Sequence, residues 1–252
     1  MNGLQMYYEI HGTGQPLFLL HGGAGVAEMF GEVLSLLSKD RQVVAAELQA
    51  HGRTADIDRP LRYELMADDI AALIKHLRLG KVDLMGYSLG GGVALRTAIQ
   101  HPELVRKLAL VSTPFRRDGW YPEVLAAMGQ NGPESAEALK QTPMYQAYSK
   151  AAPRLQDWPV LMTKLGEMLR RDYDWSEEVA RIRAPTMIVV GDSDSVRTAH
   201  AVEFFELLGG GKKDGRLGWV RDVQRAPMHP ARDHTLQHIL LSLIGHGCQA
   251  VP

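Results

Sequence analysis

Short apolar runs, each followed by turn residues and then by a helical pattern, recur through the first half of the chain. The runs are PLFLLHGG (16–23), QVVAAEL (42–48), KVDLMGYS (81–88) and KLALVST (107–113). Strands that alternate with helices in this way are typical of a parallel sheet covered by helices on both faces. The pattern therefore predicts an α/β fold with a mostly parallel sheet.

An amphipathic helix is predicted over residues 63–77, between the second and third runs. Its apolar side chains recur at helical spacing on one face: Leu65, Ile70, Leu73, Ile74 and Leu77. Asp68 and Asp69 point away from that face, so we expect their charges to be solvated.

The rhythm changes after the fourth run. Residues 114–183 consist of helical segments broken by prolines, and PTMIVVGDSDS (185–195) then resumes the strand pattern. This predicts a core domain formed by residues 1–113 and 184–252, with a helical cap, residues 114–183, lying as a lid over the carboxyl edge of the sheet. Bulky apolar residues in the cap suggest an apolar substrate, although such residues more often form a core: Met128, Met144, Trp158, Met162 and Met168.

Composition narrows the class of protein. The chain has 252 residues, of which 45% are hydrophobic and 23% are charged, and this length and composition are ordinary for one folded domain. Its formal net charge is -1. No broad basic field exists to attract phosphates, so we expect a small-molecule partner and neither nucleic acid nor a membrane. The first residues lack a secretory signal pattern and Cys248 has no second cysteine to pair with, which favours the cytoplasm. The oligomeric state is left open.

The third run ends in Gly86-Tyr87-Ser88-Leu89-Gly90, which fits the G-x-S-x-G elbow between a strand and a helix. In such an elbow the serine has a strained backbone, and the glycines avoid clashes that a Cβ would cause. A turn serine without catalytic role is the alternative. Because the motif follows a strand and opens a predicted helix (91–101), we predict that Ser88 is a nucleophile and that the Leu89 N–H binds an oxyanion.

The first run ends in a second glycine-rich turn, His21-Gly22-Gly23-Ala24-Gly25. The N–H of Gly23, or of Ala24, is the predicted second oxyanion donor, and losing such a donor typically costs about 3 kcal/mol of barrier lowering. We expect His21 to be a buried histidine that hydrogen-bonds the loop, because it lies too early in the chain to be the base.

These motifs together resemble the α/β-hydrolase fold family, in particular its small serine esterases and related hydrolases. The matching segments, in the family's order over about residues 1–210, are HGGAG (21–25), AAELQAHGRT (45–54), GYSLGG (86–91) and VVGDSD (189–194). Glu47, Gln49 and Ala50 depart from the family's D-x-R-G-H-G-x-S loop, a variation to which we assign no catalytic meaning.

The resemblance implies a catalytic acid after the next-to-last strand, Asp194 with Asp192 as the alternative, and no metal or organic cofactor. It implies cleavage of a small, apolar carboxylic ester through an acyl-enzyme. A serine at the elbow excludes the dehalogenase-like and epoxide-hydrolase-like branches, which use aspartate there, whereas lactonase, C–C hydrolase and perhydrolase chemistry remain open. The alternative function is a catalytically impaired, ligand-binding or signalling member of the same fold.

The expected position of the general base is not evident in this sequence. Members of the family usually carry it in a segment resembling L-P-G-x-x-H, which is absent from residues 219–252. Synonymous codons for PARDHTLQHI (230–239), read one nucleotide later, spell L-P-G-T-T-H-Y-N-I, so we hypothesise that the reading frame changes near GGGKKDG (209–215). Of the histidines that this polypeptide does contain, His229 has the best position to replace the base and His234 is second.

Overall fold

The computed structural model describes residues 1–211. Within them six strands form one sheet in the order β1-β3-β2-β4-β5-β6. Their bounds are β1 Tyr8–His11, β2 Gln15–Leu20, β3 Arg41–Ala46, β4 Val82–Tyr87, β5 Val105–Val111 and β6 Thr186–Val189. The pairs β2/β3, β2/β4, β4/β5 and β5/β6 are parallel and only β1, against β3, is antiparallel. The predicted mostly parallel sheet is confirmed.

The central strands are apolar on both faces because helices cover both sides. Phe18 and Leu20 belong to the core on one face, whereas Leu17 and Leu19 belong to a second apolar cluster on the other. Burial of apolar surface stabilises the folded state by roughly 25 cal/mol per Å². A run with no polar alternation is therefore what a buried parallel strand requires.

The helices outside residues 114–183 follow the strands as the pattern predicts. They are α1 Gly31–Leu37, α2 Tyr63–His76, α3 Leu89–Gln100 and, after β6, α9 Thr198–Leu207. The expectation that Asp69 is solvated is wrong: its side chain is fully buried and accepts hydrogen bonds from Asn2 and Arg59. The helical pattern marks the buried face by its apolar members, so it cannot identify a buried aspartate that is paired with a residue elsewhere in the chain.

Five further helices lie between β5 and β6, here called the helical insertion. They are α4 Pro122–Gly129, α5 Pro133–Ala138, α6 Pro143–Ala151, α7 Trp158–Arg170 and α8 Ser176–Val179. Trp158, Met162 and Met168 are buried, and the Trp158 indole N–H donates to the Ala136 carbonyl at 2.8 Å. These side chains thus form the core of the insertion, while the proposed division into core and cap domains stays a prediction. No helix in residues 1–211 is long and apolar enough to cross a bilayer.

Candidate active site

Ser88 lies at a sharp bend between β4 and α3. Its backbone has φ 51° and ψ -114°, a conformation that non-glycine residues rarely adopt. The flanking glycines are required by close packing: a Cβ on Gly86 would lie 2.2 Å from the Gly90 carbonyl oxygen, and one on Gly90 would lie 2.2 Å from the Leu20 carbonyl oxygen. The strained elbow predicted from G-x-S-x-G is therefore present.

Hydrogen bonds on both sides of Ser88 hold this strained backbone in place. The Ser88 N–H donates to the Val111 carbonyl at the end of β5, at 2.8 Å. The Ser88 carbonyl accepts the Thr113 hydroxyl at 2.8 Å and the Gly92 N–H at 3.0 Å. The side chain of Ser88 is half-buried, so its hydroxyl is neither enclosed in the core nor fully in solvent.

The glycine-rich turn after β2 lies against this elbow. A Cβ built on Gly22 would lie 2.9 Å from the Tyr87 ring and 3.6 Å from the Ser88 Cβ, so the turn lies close to the serine. Ala24 has φ 54°, and the turn is closed by the Gly25 N–H, which donates to the Gly22 carbonyl at 3.0 Å. Leu89 is the first residue of α3, so its N–H has no acceptor within the helix. That Gly23 or Ala24, together with Leu89, donates to an oxyanion stays a prediction.

His21 has the structural role expected of it. It is 2% exposed; its Nδ1 lies 2.8 Å from the Gly22 carbonyl oxygen, and its Nε2 accepts the Leu48 N–H at 3.1 Å. Burial lowers the pKa of this imidazole to about 4, which keeps it neutral and able to accept from Leu48 near pH 7. His21 thus ties the turn after β2 to the loop after β3.

Glu47, which departs from the family pattern, supports the same turn. Its buried carboxylate accepts the Ala27 N–H at 3.2 Å, the Arg53 N–H at 2.5 Å and the Arg53 guanidinium at 2.8 Å. Burial raises the pKa of Glu47, and the bonds from Arg53 and Ala27 oppose that shift. Glu47 therefore stabilises the backbone that follows Gly25, and we assign it no part in the reaction.

Asp194 is held at the same edge of the sheet, two strands from Ser88. Its Oδ2 accepts the Ser112 hydroxyl at 2.7 Å and the Gly191 N–H at 2.9 Å, and its Oδ1 accepts the Val196 N–H at 2.9 Å. An ionised carboxylate has about four acceptor positions, so one is left for an imidazole N–H. Asp192, the alternative acid, has an exposed side chain.

Ser112 is the residue of this site that the sequence reading missed. It directly follows β5, has φ 52°, and bridges the strand that carries the Ser88 backbone contact to the loop that carries Asp194. The only signal in the sequence is a polar pair, Ser112-Thr113, at the end of an apolar run.

No histidine within residues 1–211 is hydrogen-bonded to the Ser88 hydroxyl. The six that this part of the chain contains are His11, His21, His51, His76, His101 and His200. His200, the last of them, is buried under Phe115, whose N–H it accepts at 3.2 Å, while His101 bonds Asp68 at 2.8 Å. His229 and His234, and the hypothesis of a changed reading frame, lie outside the described residues. The described residues also contain no cluster of three or more His, Cys, Asp or Glu side chains that could hold a metal ion.

Comparison with known proteins agrees with the observed fold. A family model described as alpha/beta hydrolase fold matches residues 15–130. A crystal structure of E-2-(acetamidomethylene)succinate hydrolase superposes with a TM-score of 0.67 at 22% identity, covering 83% of this chain and 85% of that one. The described residues therefore have the alpha/beta hydrolase fold.

Two curated relatives indicate the range of chemistry among similar proteins. A putative esterase/lipase of Haemophilus influenzae is 33% identical over 105 residues, which span 41% of this chain but only 36% of that protein. An (E)-2-((N-methylformamido)methylene)succinate hydrolase of Acinetobacter baylyi is 24% identical over 216 residues, 79% of this chain and 80% of the relative. Both relatives are named as hydrolytic enzymes, and the two names indicate different substrates.

Proposed function

We propose that the protein is a serine hydrolase that cleaves small, apolar carboxylic esters through an acyl-enzyme. The observation that carries this proposal is the backbone of Ser88: a non-glycine residue at φ 51°, at the carboxyl end of β4 and close to the glycine-rich turn. A strained conformation that the surroundings hold in place by three backbone contacts is commonly found at functional sites. The names of the relatives, which include an esterase and several other hydrolases, support the same class.

In the proposed mechanism the Ser88 hydroxyl attacks the ester carbonyl while an imidazole accepts its proton. That imidazole then protonates the leaving alcohol, and a water molecule hydrolyses the acyl-enzyme by the same route in reverse. Asp194 receives the other imidazole N–H at its remaining acceptor position. The N–H groups of Gly23 and Leu89 stabilise the oxyanion, with Ala24 as the alternative to Gly23.

We assign the base to His229, with His234 as the alternative. His229→Asn and His234→Asn, each measured separately, should identify it, because removal of a triad histidine lowers turnover by up to about a millionfold. The natural coding DNA tests the hypothesis of a changed reading frame. If its codons for residues 230–239 do not spell L-P-G-T-T-H in the next frame, the hypothesis is wrong.

The proposed nucleophile is tested by stoichiometric labelling of the folded protein with an alkyl fluorophosphonate. We expect one equivalent bound per chain, complete loss of labelling in Ser88→Ala, and unchanged labelling in Ser149→Ala. Ser149 is a matched control because it is a half-buried serine, like Ser88, whose hydroxyl bonds only the Gln146 carbonyl in its own helix, at 3.1 Å. Labelling that persists in Ser88→Ala would refute the assignment.

A second candidate is a ligand-binding or catalytically impaired protein on the same fold. It is favoured by one observation on the sequence: residues 219–252 contain no segment resembling L-P-G-x-x-H, in which related proteins usually carry the base. Under this hypothesis the wild-type protein, shown to be folded by a cooperative unfolding transition, neither reacts with the fluorophosphonate nor hydrolyses esters. Labelling that depends on Ser88 would exclude it.

A further inference from the structure

Lys164, on α7, joins the helical insertion to the core domain. Its ammonium donates to the Asp56 carboxylate at 2.6 Å and to the carbonyl oxygens of Ile57 and Arg59 at 2.9 and 2.8 Å. The side chains of Lys164 and Asp56 are 18% and 15% exposed. All three N–H donors of the ammonium are therefore used on a single loop, in a place largely shielded from water.

That loop is itself fixed to the body of the core domain. The Gln49 amide donates to Asp56 at 2.8 Å and to the Arg59 carbonyl at 3.1 Å, and it accepts from the Arg59 side chain at 2.6 Å. The Arg59 guanidinium in turn donates to the carboxylate of Asp69, which is buried in α2. A network of this kind has few alternative arrangements, so Lys164 holds α7 against a rigid support.

The next residue of α7, Leu165, lies on the glycine-rich turn beside Ser88. Leu165 is 3% exposed, and a Cβ built on Gly23 would lie 3.7 and 3.9 Å from its two methyl carbons, ordinary van der Waals contact. Consecutive α-carbons are about 3.8 Å apart, so the position of Lys164 determines the position of Leu165 closely. One residue of this helix turn is bound to the core, and its neighbour covers the turn that carries the predicted oxyanion donor.

We propose that Leu165 sets the size of acyl group that the site accepts, and that Lys164 is the positioning residue that keeps Leu165 there. This inference rests on the proposed function, because it places the ester carbonyl oxygen at the glycine-rich turn. With the carbonyl oxygen at that turn, the acyl chain would begin beside it, where the Leu165 methyl groups lie 3.7 and 3.9 Å from the position of a Cβ on Gly23 and would limit the room for a long chain. Leu165→Ala opens this space directly, and Lys164→Met opens it by releasing α7 while keeping the apolar stem of the lysine.

The test compares kcat/KM for p-nitrophenyl octanoate with that for p-nitrophenyl acetate in the full-length protein. We expect the octanoate/acetate ratio to rise about tenfold in Leu165→Ala, within the range by which a hydrophobic pocket discriminates substrate size. Lys164→Met should shift the ratio in the same direction, and the double variant should shift it by less than the product of the two. Ratios that stay within about twofold of wild type in Leu165→Ala would overturn the assignment of Leu165.

The matched control is Lys140→Met, which removes an ion pair of similar length inside the insertion. Lys140 lies 2.7 Å from Glu137, both side chains are more exposed than the Lys164 pair, and neither is hydrogen-bonded or ion-paired to the loop 56–59. We expect its octanoate/acetate ratio to stay within about twofold of wild type, since exposed pairs contribute little. An equal shift in Lys140→Met and Lys164→Met would show general loosening of the insertion and refute the specific role of Lys164.

Hydrogen–deuterium exchange separates this inference from the proposed function. In Lys164→Met, peptides that cover 20–26 and 158–170 should exchange faster than in wild type, whereas Lys140→Met should leave 20–26 unchanged. If wild type neither hydrolyses esters nor reacts with fluorophosphonate, the proposed function and the acyl-size role fall together, and faster exchange at 20–26 still supports the positioning role. Unchanged exchange at 20–26 in Lys164→Met refutes that role whatever the activity.

Discussion

His51 makes the folded protein sensitive to acid. It is fully buried beside the glycine-rich turn, its ring centroid lies 4.9 Å from that of His21, and its Nδ1 lies 2.8 Å from the Gln49 carbonyl oxygen. Its Nε2 is buried without a partner among the described residues. Burial first, and then the neighbouring His21, lower the pKa of His51 from 6.5 to about 3.

The sign of the effect follows from where the proton binds. Below about pH 6.5 the unfolded chain takes up a proton on His51 and the folded chain does not. The free energy of unfolding therefore decreases as the pH is lowered from about 6.5 to the folded pKa of about 3. One such group changes the free energy of unfolding by about 1.4 kcal/mol per pH unit, or about 3 kcal/mol over two units. Against a typical stability of about 5–15 kcal/mol, that is a large share.

The variant that tests this is His51→Asn. An asparagine amide can replace the Nδ1 donor to Gln49 but does not titrate. We expect the slope of unfolding free energy against pH, from urea titrations followed by tryptophan fluorescence between about pH 6 and pH 4, to fall by about 1.4 kcal/mol per unit. His76→Asn, at an exposed position near the end of α2, should leave the slope unchanged. Equal slopes in His51→Asn and wild type would refute the reasoning.

Three further substitutions test the packing and the site. Gly90→Ala should destabilise the protein by about 3 kcal/mol or more in urea titrations, because its Cβ would meet backbone carbonyl oxygen at 2.2 Å, whereas Gly80→Ala, with open space around it, should cost little. Trp158→Phe leaves a buried carbonyl of α5 unpaired, so we expect a loss of about 1–3 kcal/mol by the same measurement, and no loss would contradict the importance of that 2.8 Å bond. Ser112→Ala removes the hydroxyl that holds Asp194, so kcat for ester cleavage should fall about tenfold with KM unchanged and with the pH profile of kcat displaced. A change in KM alone would contradict that role.

The amino-acid sequence alone determined most of the sheet and the strained turn. Continuous apolar runs locate buried parallel strands because both of their faces are covered, and the predicted runs 16–23, 42–48, 81–88 and 107–113 contain or overlap β2 to β5. Glycines on both sides of Ser88 identify the elbow because backbone atoms lie where any Cβ would be. Such features depend on neighbours within a few residues, so the local pattern records them. The edge strand β1, four residues long, left no comparable pattern.

The polar partnerships were decided by the tertiary structure. Lys164 and Asp56 are 108 residues apart in sequence, and Ser112 and Asp194 are 82 apart. The local pattern around Asp69 does not distinguish an aspartate buried against Arg59 from one in water. The partner that compensates the cost of burying its charge lies outside its helix. The fold brings such residues together when the strand ends meet at one edge and α7 packs against the loop after β3. The same dependence on long-range contacts explains why the sequence could propose Ser88 and Asp194 as site residues but could not indicate the side chains that hold them in place.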